Sequence, residues 1–390
     1  MSKIEQLIQQ YCPEGVKWVK LGELCDIKGR IGFRGYTRND QVSEGKGALS
    51  LSPSNIQDGQ IVYNKGTYIT WEKYEESPEI MTFNGDIIFC KTASVGKVAL
   101  VKNLPYKATI NPQLVVLKNI RCNPSFLTYC LGADYIQKKV VQLAGVGSVP
   151  NLSQKAMGKI EIPLPPLAVQ EEIAKILDTF SELQAELQAE LQARQQQYQY
   201  YRDKLLSFEG RSDVEWKKLG EICSVLRGKR LTKSQLSPDG KYKVFHGGID
   251  PIGFYGLSNR EANTTMVINV GASAGIVGFS KEEFWSSDGC FCLSHSPKLY
   301  SRFIYYYLQT KERYLMSRVR RAGIPTLDGK VLEELTIPLP PLSVQEEIVA
   351  TLDRFDALVN DLSQGLPAEI EARRQQYEYY RNKLLTFKRK

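Results

Sequence analysis

The apolar positions of this chain change period along its length. From 168 to 208 no glycine or proline intervenes. Ile173, Leu177, Phe180, Leu187, Leu191, Tyr198, Tyr201 and Leu205 recur about every 3.5 residues there, the spacing of a coiled-coil seam. About 41 residues at 1.5 Å each predict ~60 Å of helix. A second stretch repeats the stripe with Ile348, Leu352, Phe355, Leu362, Leu366, Ile370, Tyr377, Tyr380 and Leu384. Gly365 and Pro367 interrupt it, so a kink is expected there. Each stripe needs a partner to cover it, and an antiparallel intramolecular coiled coil satisfies both. Elsewhere the apolar runs are short. GDIIFC at 85–90, ATINPQLVVLKN at 108–119 and TTMVINVG at 264–271 predict buried strands, whereas 125–144 and 301–315 carry amphipathic helical patterns. Strands followed by a helix predict an α+β fold.

The chain is two copies of one unit. VKWVKLGELC at 16–25 returns as VEWKKLGEIC at 214–223, and IPLPPLAVQEEI at 162–173 as IPLPPLSVQEEI at 337–348. RQQQYQYYRDKLLSF at 194–208 returns as RRQQYEYYRNKLLTF at 373–387. Self-similarity of this length sets the organisation before any residue-level reading. Between the matched edges the blocks differ, apart from TASVGKV at 92–98 against GASAGIV at 271–277, and Pro150 and Leu152 against Pro325 and Leu327. Matched edges around unlike interiors suggest a shared scaffold carrying two surfaces. The expected divisions are a globular block at 1–157, a helical spacer at 158–210, a second globular block at 211–332 and a second spacer at 333–390. ELQA occurs three times in succession at 182–193, inside the first helix.

Charge follows the same alternation. The net of +8 divides into +6 for 1–157, −4 for 158–210, +8 for 211–332 and −2 for 333–390. The globular blocks are basic and the spacers acidic. No apolar run approaches the ~18 residues a membrane span needs, and MSKIEQLIQQ lacks the apolar core of a secretory signal. Eight cysteines without a C-x-x-C pair, and two histidines in all, argue against a zinc site or a disulfide framework. A reduced, cytoplasmic protein is expected.

The tools of an enzyme are missing from the pattern. Gly96-Lys97 is followed by Val98, so it is no phosphate-binding P-loop. G-x-S-x-G and H-E-x-x-H do not occur, and the only double prolines lie in the two IPLPPL segments, leaving no N/D-P-P-aromatic turn for a flipped base. His246 and His295 sit in unlike contexts and read as binding or structural residues, and Cys290 and Cys292 as strand residues packing on one face.

What is present is basic and repeated. Lys28, Arg30, Arg34 and Arg38 fall in KGRIGFRGYTRN, and Arg227, Lys229, Arg230 and Lys233 in RGKRLTK, each set about ten residues beyond a matched tryptophan, Trp18 or Trp216. Arg318, Arg320 and Arg321 form a third cluster. Interleaved glycines let backbone approach a phosphate chain, so these residues are candidate DNA contacts. Lys97 joins them on the loop 94–97, which could present amides to phosphate or be a plain turn between strands. Tyr200 and Tyr379 lie off the main seam and are candidate docking residues for a partner protein.

Two copies of I-P-L-P-P-L-x-V-Q-E-E-I, each leading into a helix that ends R-x-Q-Q-Y-x-Y-Y-R-x-K-L-L, resemble the DNA-specificity subunit of type I restriction–modification enzymes. GASAGIVGF followed by FWSSDGCF at 284–291 is similar to that family's target-recognition domains. The resemblance spans essentially the whole chain and implies two such domains joined by an antiparallel coiled coil with a pseudo-two-fold repeat. It implies a non-catalytic subunit for a bipartite, non-palindromic double-stranded DNA site, and a spacing role for the short helical repeat. It further implies two modification subunits that carry S-adenosylmethionine and methylate adenine, and restriction subunits that use ATP and Mg, leaving no cofactor in this chain. No fixed set of base-reading residues comes with the family, so the contact residues above rest on charge and position. A self-contained DNA-modifying enzyme, and a coiled-coil adaptor or RNA-binding protein, are the alternatives.

Overall fold

The matched edges of each copy pair with one another. In the computed structural model, which describes residues 3–64, 66–145, 149–208, 210–361 and 363–390, strand Lys17–Lys20 runs antiparallel to Glu161–Leu164 with Trp18 opposite Pro163. Strand Glu215–Lys218 runs antiparallel to Thr336–Leu339 with Trp216 opposite Pro338. A two-stranded sheet is all edge, so a proline that cannot donate is tolerated. IPLPPL therefore closes each globular block as a strand before the spacer helix begins.

The interiors differ in sequence but share connectivity. One antiparallel sheet of the first copy has the order Asp26–Gly29, Leu114–Lys118, Ile87–Cys90, Val98–Leu100; the second has Val225–Arg227, Cys290–Leu293, Thr264–Ile268, Val277–Ser280. A further sheet in each copy contains a parallel pair, Ala48–Leu51 with Ala108–Ile110 and Tyr242–Phe245 with Phe284–Ser286. The first copy adds the hairpin Ile56–Gln57 with Gln60–Ile61 and the helix Trp71–Glu75. Ile87–Cys90, Thr264–Ile268 and Cys290–Leu293 are buried along their whole length, which is why they read as runs without alternation.

Three sequence expectations need adjustment. The run 108–119 is two strands, separated where the Asn111 side chain accepts from the Gln113 amide (3.0 Å) in an Asx turn. The stretch 125–144 is two helices, Pro124–Gly132 and Asp134–Ala144, because Ala133 takes an extended backbone (φ −70°, ψ 144°). Likewise 301–315 divides into Ser301–Thr310 and Glu312–Ser317.

The first spacer is one helix, Leu167–Leu205. The second is more than kinked: Leu342–Asn360 and Leu366–Leu385 are separate helices. A Cβ at Gly365 would lie 2.5 Å from the Ala357 carbonyl oxygen, so only glycine fits the break. The chain divides into two compact units, residues 1–186 with 370–390 and residues 187–369. The blocks 1–157 and 211–332 each fall within one unit, and the spacer helices are shared out between them. In the first unit Phe180 stacks on Tyr380 (5.5 Å) and Ser181 hydrogen-bonds Tyr377. In the second, Tyr201 stacks on Phe355 (5.7 Å). Rising numbers on one helix meet falling numbers on the other, so the helix pairing in the first unit is antiparallel.

Ile173, Leu177, Leu187, Leu191, Tyr198, Ile348 and Leu352 are buried as the stripe requires. Leu206 and Leu385 are buried at the helix ends in preference to Leu205 and Leu384. Leu362, expected in the second seam, lies outside the described residues. Beyond the last helix, the Val16 amide donates to the Lys388 carbonyl (2.9 Å) and the Lys390 amide to the Val16 carbonyl (3.1 Å). Arg389 forks onto Glu161 (3.1 and 2.6 Å). The tyrosine-rich helix thus leads to a strand bearing tryptophan in both copies, by chain continuity in the second and by pairing in the first. Among the described residues no helix is long and apolar enough to cross a membrane.

Candidate nucleic-acid interface

Two fasteners hold each globular block against its spacer helix. Gln170 is buried, accepts from the Asn123 amide (2.9 Å) and donates to the Pro165 carbonyl (2.7 Å). Gln345 is buried, accepts from the Tyr300 amide (2.8 Å) and donates to the carbonyls of Lys298 (3.0 Å) and Pro340 (2.8 Å). About two turns further along, the Tyr129 hydroxyl donates to Asp178 (2.8 Å), and Tyr306 donates to Asp353 in the same way. Burial pushes both phenols well above their ordinary pKa. In the second unit Arg302 adds ion pairs to Asp353 (2.8 Å) and Asp356 (3.0 Å) and lies over the rings of Phe279, Tyr305 and Tyr306. The sequence signal was available: Gln170 and Asp178 recur as Gln345 and Asp353 at one offset of 175. A buried amide must be hydrogen-bonded, and for Gln170 and Gln345 these partners provide it.

The basic residues divide into free and committed groups. Arg30 is a correction to the candidate DNA contacts. It is buried, and its guanidinium donates to the Ile110 carbonyl (3.1 Å), the Thr109 hydroxyl (3.2 Å) and the Arg34 carbonyl (3.2 Å). It pins the loop 30–34 to a strand, and burial lowers its pKa. Arg34 is half-buried with an ion pair to Glu79 (3.4 Å), which weakens its case as a phosphate contact. Lys28 and Arg38 are exposed. Lys97 is exposed, with its ammonium 3.4 Å from the carbonyls of Pro53 and Ile56.

In the second copy Arg227, Lys229, Arg230 and Lys233 are all exposed. The backbone beneath them is fixed. The Lys229 amide donates to the Ser286 carbonyl (2.9 Å), its carbonyl accepts from the Trp285 indole (2.8 Å), and the Arg227 carbonyl accepts from Arg260 (2.9 Å). Arg227 also reaches the Asp288 carbonyl (3.3 Å). Arg318, Arg320 and Arg321 are exposed. Among the described residues no carboxylate pairs with Lys28, Arg38 or any of these seven second-copy side chains. Exposed cations without carboxylate partners are what a polyanion contact requires.

The loops 94–97 and 273–276 are turns. The Gly96 amide donates to the Cys90 carbonyl (3.0 Å) and the Lys97 amide to Ser94 (3.5 Å); Gly275 and Ile276 repeat this toward Ile268 (2.8 Å) and Ser273 (3.1 Å). Those amides are committed inside the turn and do not cradle phosphate. Pro150 and Leu152 bond to the first turn's flanks at Ala93 and Lys91, as Pro325 and Leu327 bond to Gly271 and Asn269.

Tyr200 and Tyr379 are about 60% exposed, at 61% and 60%. Each sits edge-on to its neighbour, Tyr201 or Tyr380, whose ring stacks within the helix pair. His246 and His295 lie beside Asp288 (3.4 Å) and Glu261 (3.2 Å). Burial pushes the Cys25 and Cys290 thiols up to about 12, which keeps them protonated.

Comparison with known proteins agrees with this arrangement. The chain matches the type I restriction modification DNA specificity domain twice, over residues 13–194 and 211–372. It is 32% identical over 250 residues to S.MpnORF365P of Mycoplasma pneumoniae, named as a type I specificity subunit, covering 61% of this chain and 91% of that protein. It is 33% identical over 271 residues to the EcoR124I/EcoR124II specificity subunit of Escherichia coli, covering 61% of this chain and 65% of that one. The fold matches the crystal structure of the type I S subunit from M. genitalium with TM-score 0.63 at 20% identity, over 95% of this chain and 96% of that one. The chain belongs to the type I restriction–modification DNA specificity family, and it carries two copies of the family's domain.

Proposed function

We propose that this chain is the DNA-recognition subunit of a type I restriction–modification complex and has no catalysis of its own. Each globular block reads one half of a bipartite, non-palindromic site. Phosphate contacts supply affinity and register, and the unlike loops read base edges. The observation that carries the reading is one hydrogen-bonded scaffold built twice beneath two different exposed basic surfaces. The spacer helices set the half-site distance and dock two modification subunits, with Tyr200 and Tyr379 in the docking surface. Their off-seam exposure and the acidic charge of the spacers favour a protein partner there over DNA. S-adenosylmethionine, ATP and Mg belong to the partner subunits, and the assembly works on DNA in the cytoplasm. Methylation-site sequencing of a host with and without this gene tests the reading: a split adenine-methylated motif should vanish with the gene. The purified chain alone should transfer no label from a methyl donor to DNA. Preference for RNA over duplex DNA across a salt series would overturn the assignment.

A further inference from the structure

The second globular block ends in a loop whose flanks are tied down and which carries a strongly exposed apolar side chain. In the second copy the loop is 318–326. Arg320 and Thr326 exchange both backbone hydrogen bonds (2.9 and 3.0 Å), and the Thr326 hydroxyl donates to the Ile324 carbonyl (2.9 Å). The Pro325 carbonyl accepts from the Gly271 amide (2.9 Å), which ties the loop to the turn at 273–276. Gly323, at φ +84°, makes the reversal that an L side chain resists. Ile324 stands beyond these ties at 70% exposed, and no large apolar side chain among the described residues is more exposed. Arg318, Arg320 and Arg321 flank it, all exposed. In the first copy Val149, 58% exposed, holds the equivalent place before Pro150, whose carbonyl accepts from the Ala93 amide (3.0 Å).

A single exposed aliphatic residue is unremarkable on most surfaces. Here it lies in a tied-down loop, three to six residues beyond three exposed arginines, a charge setting that favours a nucleic acid over an apolar protein face. A duplex offers apolar cover at thymine methyl groups in the major groove and in the space between stacked bases, and unstacking separates the two. A loop already tied down loses little entropy on insertion.

We propose that Ile324 and Val149 are wedges, each partly unstacking one base step in its own half-site, with the arginines beside Ile324 holding the flanking phosphates. This rests on the DNA-recognition reading and adds that the chain deforms its site. The step it opens would contribute sequence preference through stacking energy, at a position that makes no hydrogen bond to the protein.

The test uses the complex with its modification subunits, and duplexes of the mapped site carrying 2-aminopurine in turn at positions other than the methylated adenine. Wild type should raise fluorescence at one step in each half-site. Ile324→Ala should abolish the rise only in the half read by 211–332 and weaken specific binding roughly tenfold. Ile324→Leu should retain both, and Val149→Ala should act on the other half. The melting midpoint should not move, since both side chains face solvent. A wild-type complex that binds and methylates its site without enhancement at any such step overturns the wedge and leaves the recognition reading intact. So does an Ile324→Ala chain that keeps the enhancement but no longer co-purifies with the modification subunit, which would make the tip a protein contact. A complex that neither binds nor methylates duplex DNA removes the recognition reading itself, and the wedge with it.

Discussion

Replacing Gln345 by alanine tests how the recognition block is fastened to its helix. The side chain is fully buried and satisfies three backbone groups at once: the Tyr300 amide and the carbonyls of Lys298 and Pro340. Truncation strands all three. At about 1–3 kcal/mol per stranded group, reduced where water reaches the new space, a loss of roughly 3–5 kcal/mol is expected. For a unit of this size 1 kcal/mol moves the midpoint by about 2–4 °C, so the transition of residues 187–369 should fall by about 6–20 °C. Calorimetry of the whole chain reads this directly, and Gln170→Ala should lower the other unit's transition instead. Gln345→Glu adds a pH dependence. Its carboxyl would face two carbonyl oxygens, so its folded pKa should rise above the ordinary ~4.3. The folded state then binds the proton more tightly, and stability relative to wild type should decline as pH rises through that window. A shift below about 2 °C in Gln345→Ala, or equal shifts of both transitions, would refute the fastening.

Arg302→Met leaves Asp353 and Asp356 without their cation. It should destabilise residues 187–369 in urea by about 2–3 kcal/mol, after discounting the part-exposed Asp353 carboxylate. The Arg389 guanidinium holds Glu161 below the usual carboxylate range; its stabilisation is present above the unfolded pKa and lost as pH falls through the folded one. Hydrogen exchange should therefore show the Val16 and Lys390 amides losing protection on acidification, and Glu161→Gln should remove that dependence. Neutralising Lys229 or Arg230 should lower the magnitude of the log-affinity against log-salt slope by ~0.9 each with base preference unchanged. Arg30→Met should destabilise residues 1–186 and leave that slope alone. Deleting 186–189 removes ~6 Å of helix and should shorten the spacer of the methylated site by about one base pair; an unchanged spacer at full activity would discard the ruler.

Much of the architecture was legible because it follows from periodicity. The seam through Ile173, Leu177 and Leu187 needs only a 3.5-residue count, and the buried strands at 87–90 and 264–268 announce themselves as apolar runs. The common connectivity of the two interiors was not legible, since backbone pairing tolerates side chains as unlike those of Ala48–Leu51 and Tyr242–Phe245. Nor was the break at Ala133, because an extended alanine carries no proline or glycine to mark it. Charge located the basic loops but could not separate Arg30 from Lys28. Which arginine turns inward depends on whether a strand carbonyl such as Ile110 lies within reach, a tertiary fact. Gln170 and Asp178 were visible as repeated letters, but their partners at 123 and 129 become neighbours only once the helix packs.

If one scaffold carries two independent readers, exchanging one globular block exchanges one half of the site. The direct measurement is methylation-site sequencing of a host whose chain has residues 211–332 replaced by the corresponding block of another family member. The methylated motif should keep one half unchanged, exchange the other half, and retain adenine methylation. A motif altered in both halves, in a complex that still assembles and methylates, would contradict it.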